Sequence, residues 1–125
     1  MTDKRDQVVA IVDDDPAVLA SLIFLLEAAG YRVEAFESSG RFLAEAQPDR
    51  YACLVLDQEL PGISGIELLR HARRSGATAP ALLVTNTPSP MIAANAAALG
   101  IAGVLRKPLL EDDLIAVLDA TLRQL

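Results

Sequence analysis

The sequence has one cysteine and one histidine. A single thiol, Cys53, cannot build an internal disulfide framework and fits a reducing compartment. No cluster of histidines and cysteines competes as a transition-metal site. A glycine-rich phosphate loop of either common spacing is also missing. Positive charge is scarce. The 11 Lys and Arg face 17 Asp and Glu, and the net charge of −6 argues against a basic face that grips nucleic acid. Long unbroken apolar runs are absent too. No charged residue lies between Ser75 and Leu105, but Gly76, Pro80, Pro88, Pro90, Asn95 and Gly100 interrupt the stretch. A membrane span needs about 20 mostly apolar residues without such breaks. The segment Met1 to Gln7 is polar and charged, unlike a secretory signal. These absences point to a cytoplasmic protein with no membrane contact and no direct nucleic-acid contact by this domain.

What is present is a globular composition. With 125 residues, 52% hydrophobic and 22% charged, the chain reads as one domain over 1–125, long enough to bury a core. Short apolar runs alternate with amphipathic segments. Val8 to Val12 is β-branched and nearly continuous, as expected of a strand buried on both faces. Asp15-Pro16 then reads as a helix start and Gly30 as its stop. Tyr31 to Phe36 is a more exposed strand, and Ser39 to Gln47 a short helix with Phe42, Leu43 and Ala46 inward. Ala52 to Leu56 is an apolar strand ending at Asp57. Pro61-Gly62 makes a turn, and Ser64 with Glu67 caps a helix over Gly65 to Arg74. Ala81 to Val84 is a strand ending at Thr85, and Pro88 to Leu99 an alanine-rich helix. Ile101 to Leu105 is the fifth strand. The last helix carries Glu111, Asp112 and Asp113 in its first turn, where they suit the helix dipole. Strict alternation of five strands and five helices predicts an α/β fold, a doubly wound parallel sheet with helices on both faces.

In such a sheet, ligands bind outside the carboxyl ends of the strands. The residues that follow the apolar runs are therefore the candidates. The first strand is followed by Asp13, Asp14 and Asp15, the third by Asp57, the fourth by Thr85 and the fifth by Lys107. Taken singly, each has a plain structural explanation: a helix cap at Asp15, solvated turns at Asp13, Asp14 and Asp57, a surface lysine at 107. Together they would put several carboxylates, a hydroxyl and an ammonium on one rim. Clustered carboxylates repel, and a hard divalent cation such as Mg²⁺ relieves the repulsion. A carboxylate beside that cation can act as a nucleophile towards a phosphoryl group, with the ammonium and hydroxyl binding phosphoryl oxygens.

These residues resemble the receiver domain of bacterial two-component response regulators. The matching pieces are Ile11 to Pro16, Leu56-Asp57 with Leu60-Pro61-Gly62 and Gly65, Val84-Thr85, and Lys107-Pro108. The first segment and Phe42 to Leu69 look most like receivers of nitrogen-fixation-type regulators, which often carry a helix-turn-helix output domain. The resemblance implies a five-stranded, flavodoxin-like sheet of order 2-1-3-4-5. It implies that Asp57 accepts a phosphoryl group from a sensor histidine kinase or phosphotransfer protein. Asp14, Asp57 and the backbone carbonyl of Glu59 would ligate Mg²⁺, with Asp13 acting largely through water. Lys107 would pair with the phosphoryl group through a loop with a cis bond to Pro108. Thr85 would carry the signal to the face of the fourth helix and fifth strand. The chain would be a phosphoacceptor and not an enzyme with an external substrate.

Three positions depart from the family pattern. Val104 stands where an aromatic ring is usual, Asn86 where a small residue is usual, and Glu59 adds an acid two residues after the acceptor. Among Met91, Ile92 and the alanines up to Ala98 there are too many apolar residues for one buried stripe, so the fourth helix and fifth strand are expected to offer a homodimer or output surface. Arg70, His71, Arg73 and Arg74 are read as dipole complements, Cys53 as an inert core thiol, and Tyr31 and Tyr51 as packing residues. Two other functions stay open: a receiver-like interaction module that works without phosphate, and a small Mg²⁺-dependent phosphohydrolase.

Overall fold

Each apolar run forms a parallel strand, the first four helices form the crossovers between them, and the fifth follows the last strand. The computed structural model describes residues 7–47, 49–109 and 111–123. In order, the elements are β1 (Val8–Val12), α1 (Pro16–Ala28), β2 (Arg32–Phe36), α2 (Ser39–Glu45), β3 (Cys53–Asp57), α3 (Gly65–Arg74), β4 (Ala81–Thr85), α4 (Pro90–Ala98), β5 (Ile101–Arg106) and α5 (Glu111–Arg123). The strands pair in parallel in the order β2-β1-β3-β4-β5, as expected. The side chains of Glu111 and Asp112, and the polar segment 1–6, lie outside the described residues.

Burial follows strand position. Every residue of β1, β3 and β4 is buried, because these strands have neighbours on both edges and helices on both faces. The edge strands β2 and β5 are mostly half-exposed. Alternate side chains feed two cores. Ala10, Val12, Leu54, Leu56 and Leu83 pack with Phe36, Phe42, Leu68 and Leu69 under α2 and α3, with Ile92 and Leu99 at the margin. Val9, Ile11, Val55, Leu82 and Val84 pack with Leu19, Leu22 and Leu26 of α1 and Leu114 and Leu118 of α5. Each buried aliphatic side chain of this kind stabilises the fold by about 1.5–3 kcal/mol before entropy is counted.

Polar residues set the helix limits. Asp15 caps α1 by accepting the Ala17 amide at 2.9 Å, and Pro16 supplies the first helical residue. Gly30 ends that segment with φ +100°, a conformation that favours glycine. Ser64 accepts the Glu67 amide at 3.2 Å and so caps α3. Two helices are shorter than the sequence pattern predicts. Ser89 caps α4 by accepting the Ile92 amide at 3.1 Å, so the helix starts at Pro90 and not at Pro88. Ala46 is already extended, with ψ 144°, and Gln47 precedes a proline, a position disfavoured in a helix. Within α2 it is Ser39 and Phe42 that face inward; Leu43 is 44% exposed, not inward as expected.

Candidate functional site

Parallel pairing in register brings the carboxyl ends of the strands to one rim. Val12 lies opposite Leu56, Asp57 opposite Val84, and Thr85 opposite Arg106. Backbone bonds run one residue further. The Asp13 amide donates to the Phe36 carbonyl at 3.2 Å, the Gln58 amide to Val84 at 2.8 Å and the Lys107 amide to Thr85 at 3.0 Å. The loops that carry the candidate residues are thereby fixed to the sheet. The Lys107–Pro108 peptide bond is cis.

One cleft at this rim is lined by Asp13, Asp14, Asp57, Glu59, Asn86 and Lys107, among others. Asp13, Asp14 and Asp57 each turn a carboxylate oxygen to a common point, all within 4.8 Å of one another. Asp57 is only 3% exposed, and its Oδ1 lies 2.7 Å from Lys107 Nζ and accepts the Glu59 amide at 3.0 Å. Asp13 is also buried and accepts the Asp15 amide at 2.9 Å. Burial pushes the Asp13 carboxyl above its usual range. The Asp15 amide and Lys107 act in the opposite direction, and the Asp57 and Asp14 charges add to the rise. For Lys107, burial pulls downward, but Asp57 and Glu59 outweigh it and hold the ammonium above its ordinary value. The three aspartates thus form an all-oxygen, negatively charged cluster in the cleft, with the Lys107 ammonium against Asp57.

Thr85 is fully buried, and its hydroxyl donates to Glu59 Oε2 at 2.6 Å while accepting the Thr87 amide at 3.1 Å. Glu59 Oε1 accepts the Asn86 amide at 2.8 Å and lies 3.4 Å from Lys107 Nζ. Partial burial pushes the Glu59 carboxyl up, yet Thr85, Asn86 and Lys107 together hold it below its usual range. The sequence marked Glu59 as an added acid beside the acceptor; it gave no sign that the side chain spans the tip of β4 and the loop after β5. Nothing in the sequence marks Gln58. Its Oε1 accepts the Ile66 amide at 2.9 Å and its carbonyl the Gly65 amide at 3.2 Å, which sets α3 against the end of β3.

Other candidates lie elsewhere. Arg70, His71 and Arg74 are exposed on α3. Arg73, read from sequence as a dipole complement, has a further role: its guanidinium donates to the carbonyls of Leu99, Ala77 and Ala79 at 3.0, 3.1 and 2.7 Å. Cys53 is buried in β3, where burial pushes its thiol up to about 12. Tyr31 and Tyr51 are buried, with hydroxyls bonded to Asp119 and Glu34. On α4, Met91 is 73% exposed and Ala96 alone is buried, so this helix keeps apolar surface outside. Val104 is half-buried beside the core under α4. Among the described residues, no helix is long and apolar enough to cross a membrane.

Comparison with known proteins gives one family. The model of the response regulator receiver domain matches residues 9–119. The transcriptional regulatory protein FixJ of Azorhizobium caulinodans is 39% identical over 114 residues, covering 91% of this chain and 54% of that protein. FixJ of Bradyrhizobium diazoefficiens is 35% identical over 114 residues, 91% of this chain and 56% of that protein. The chain thus spans about half the length of these curated relatives. Among solved structures, a CheY-like receiver domain protein from Methanospirillum hungatei superposes with a TM-score of 0.86 at 29% identity, covering 94% of each chain. Full-length FixJ from B. japonicum gives 0.83 at 34% identity, covering 94% of this chain and 58% of that one.

Proposed function

Since this chain belongs to the response regulator receiver family, we infer that it is a phosphoacceptor switch centred on Asp57, with residues 1–125 as the receiver unit. The observation that carries this reading is the Asp57 carboxylate, nearly buried, at the carboxyl end of the central strand, with carboxylate oxygens of Asp13 and Asp14 within 4.8 Å and Lys107 Nζ at 2.7 Å. A sensor histidine kinase or phosphotransfer protein is the donor. One Asp57 oxygen attacks the phosphorus of a phosphohistidine; the new O–P bond forms as the N–P bond breaks, and the imidazole leaves. Lys107, already against Asp57, then pairs with a phosphoryl oxygen and offsets charge that spreads over the group.

The donor set suits Mg²⁺. Asp13, Asp14 and Asp57 offer only hard carboxylate oxygens, close enough to share one ion, and family membership adds the backbone carbonyl of Glu59 as a further ligand. When bound there, Mg²⁺ supplies positive charge against the phosphoryl oxygens. Modification adds about −1.5 to −2 charges at the rim. Thr85 at the end of β4 is the residue that couples this charge to the exposed apolar side of α4 and to β5, the surface for a second copy or an output partner.

The test is to incubate the protein with a small acyl phosphate and Mg²⁺ and weigh it intact. A gain of one phosphoryl group, lost in Asp57→Asn, supports the reading. An unmodified protein would favour an interaction module that works without phosphate.

A further inference from the structure

The Glu59 carboxylate lies where three anion donors converge. Oε2 takes the Thr85 hydroxyl at 2.6 Å; Oε1 takes the Asn86 amide at 2.8 Å and faces Lys107 Nζ at 3.4 Å. The same ammonium is 2.7 Å from Asp57 Oδ1. A hydroxyl at the tip of β4, the next backbone amide and an ammonium shared with Asp57 therefore form a cradle for a small oxyanion attached to, or resting on, Asp57. A side-chain carboxylate is itself a small oxyanion. We propose that Glu59 is an internal competitor of the phosphoryl group: it fills the anion cradle of the unmodified protein, and an anion reaching Asp57 must displace it.

The inference rests on Asp57 as the anion-bearing residue, and it deepens that reading by naming what sets the resistance to anion entry. Two groups of like charge cannot use one set of donors. Charge-assisted hydrogen bonds are the stronger class, so surrendering them opposes binding. Glu59 also has a route out. Its side chain is 35% exposed, while its backbone amide stays bonded to Asp57 Oδ1 at 3.0 Å, so rotation of the side chain alone clears the cradle. Once Glu59 leaves, the Thr85 hydroxyl, the Asn86 amide and the Lys107 ammonium are released to the incoming anion. Glu59 is thus a positioning residue: it holds Thr85 in the unmodified state and sets how readily an anion takes its place.

The probe is beryllium fluoride with Mg²⁺, a non-covalent phosphoryl analogue, titrated into ¹⁵N-labelled wild type, Glu59→Ala and Glu59→Gln. The Asn86 and Thr87 amide resonances report the cradle. Glu59→Ala is expected to saturate at about tenfold lower concentration than wild type, with Glu59→Gln shifted in the same direction, because each removes a charged competitor from those donors. Equal or weaker binding by both variants overturns the inference, as does failure of all three proteins to bind. The phosphoacceptor reading is tested separately by intact mass with a small acyl phosphate. If the analogue binds with the expected ranking and no protein gains a phosphoryl group, the competitor role stands and covalent acceptance by Asp57 falls.

Discussion

Lys107 Nζ and Asp57 Oδ1 stand 2.7 Å apart, and the carboxylate is almost completely withdrawn from water while the ammonium keeps a partly exposed side. Removing the lysine leaves a buried anion facing two more carboxylates. Lys107→Ala should therefore destabilise the fold at neutral pH by about 1–3 kcal/mol, read from urea denaturation. In the Asp57→Asn background the same change should cost less, with a coupling of at least about 0.5 kcal/mol. The raised Lys107 pKa fixes the sign with pH. The stabilisation is complete below the unfolded lysine pKa and is lost as pH rises through the higher folded value.

Asp13 runs the other way. Its folded pKa is raised, chiefly by burial, so the folded state binds the proton more tightly than the unfolded chain. Its contribution is favourable when protonated, fades as pH climbs from the unfolded carboxylate value through the folded one, and is a cost at neutral pH. Asp13→Asn keeps an oxygen for the Asp15 amide and removes the charge. The variant should melt above wild type at neutral pH, with the gap closing as pH falls into the carboxylate range. Added Mg²⁺ should raise the wild-type Tm more than that of the variant. A Tm difference independent of pH would contradict this account.

Gly65 sits against the end of β3. A Cβ there would meet the Asp57 carbonyl oxygen at 2.5 Å and its carbon at 3.0 Å, and neither backbone atom can rotate away. Gly65→Ala should cost about 1–3 kcal/mol through overpacking. It should also shift Asp57 and lower the rate of phosphorylation by a small acyl phosphate, measured by intact mass over time. Gly62→Ala, with nothing within 4 Å but a φ of +87°, should cost stability without that loss of rate.

Arg73 ties the end of α4 to the α3–β4 loop through the carbonyls of Leu99, Ala77 and Ala79. Arg73→Ala leaves these acceptors short of a donor, and Arg73→Lys cannot present the same planar fork. Both should destabilise, by about 1–3 kcal/mol for alanine. Hydrogen exchange should speed up in α4 and the α3–β4 loop more than in β1 or β3.

Much of the fold was legible because β1, β3 and β4 are continuous apolar runs, each cut off by a polar residue. The rim follows directly, since in a parallel sheet Asp57, Thr85 and the residues after Val12 and Arg106 must share an end. Helix starts were legible where a capping residue precedes proline, as at Asp15-Pro16; the same signal at Ser89-Pro90 marks the true start of α4. Long side chains were not legible. Glu59 and Arg73 act on residues 26 positions away, and sequence alone does not say which way a flexible charged side chain turns. By sequence, Glu59 is an extra acid beside the acceptor and Arg73 a dipole complement at a helix end. Only its contacts distinguish Arg73 from the exposed Arg70 and Arg74 nearby.

The most direct test is to trap the modification chemically. Protein treated with a small acyl phosphate and Mg²⁺ is reduced with borohydride, which converts an aspartyl phosphate to homoserine, and is then digested and sequenced by mass spectrometry. The account predicts homoserine at position 57 alone, and none in unphosphorylated protein or in Asp57→Asn. Homoserine at position 13 or 14 instead of 57, or none at any acid, would contradict it.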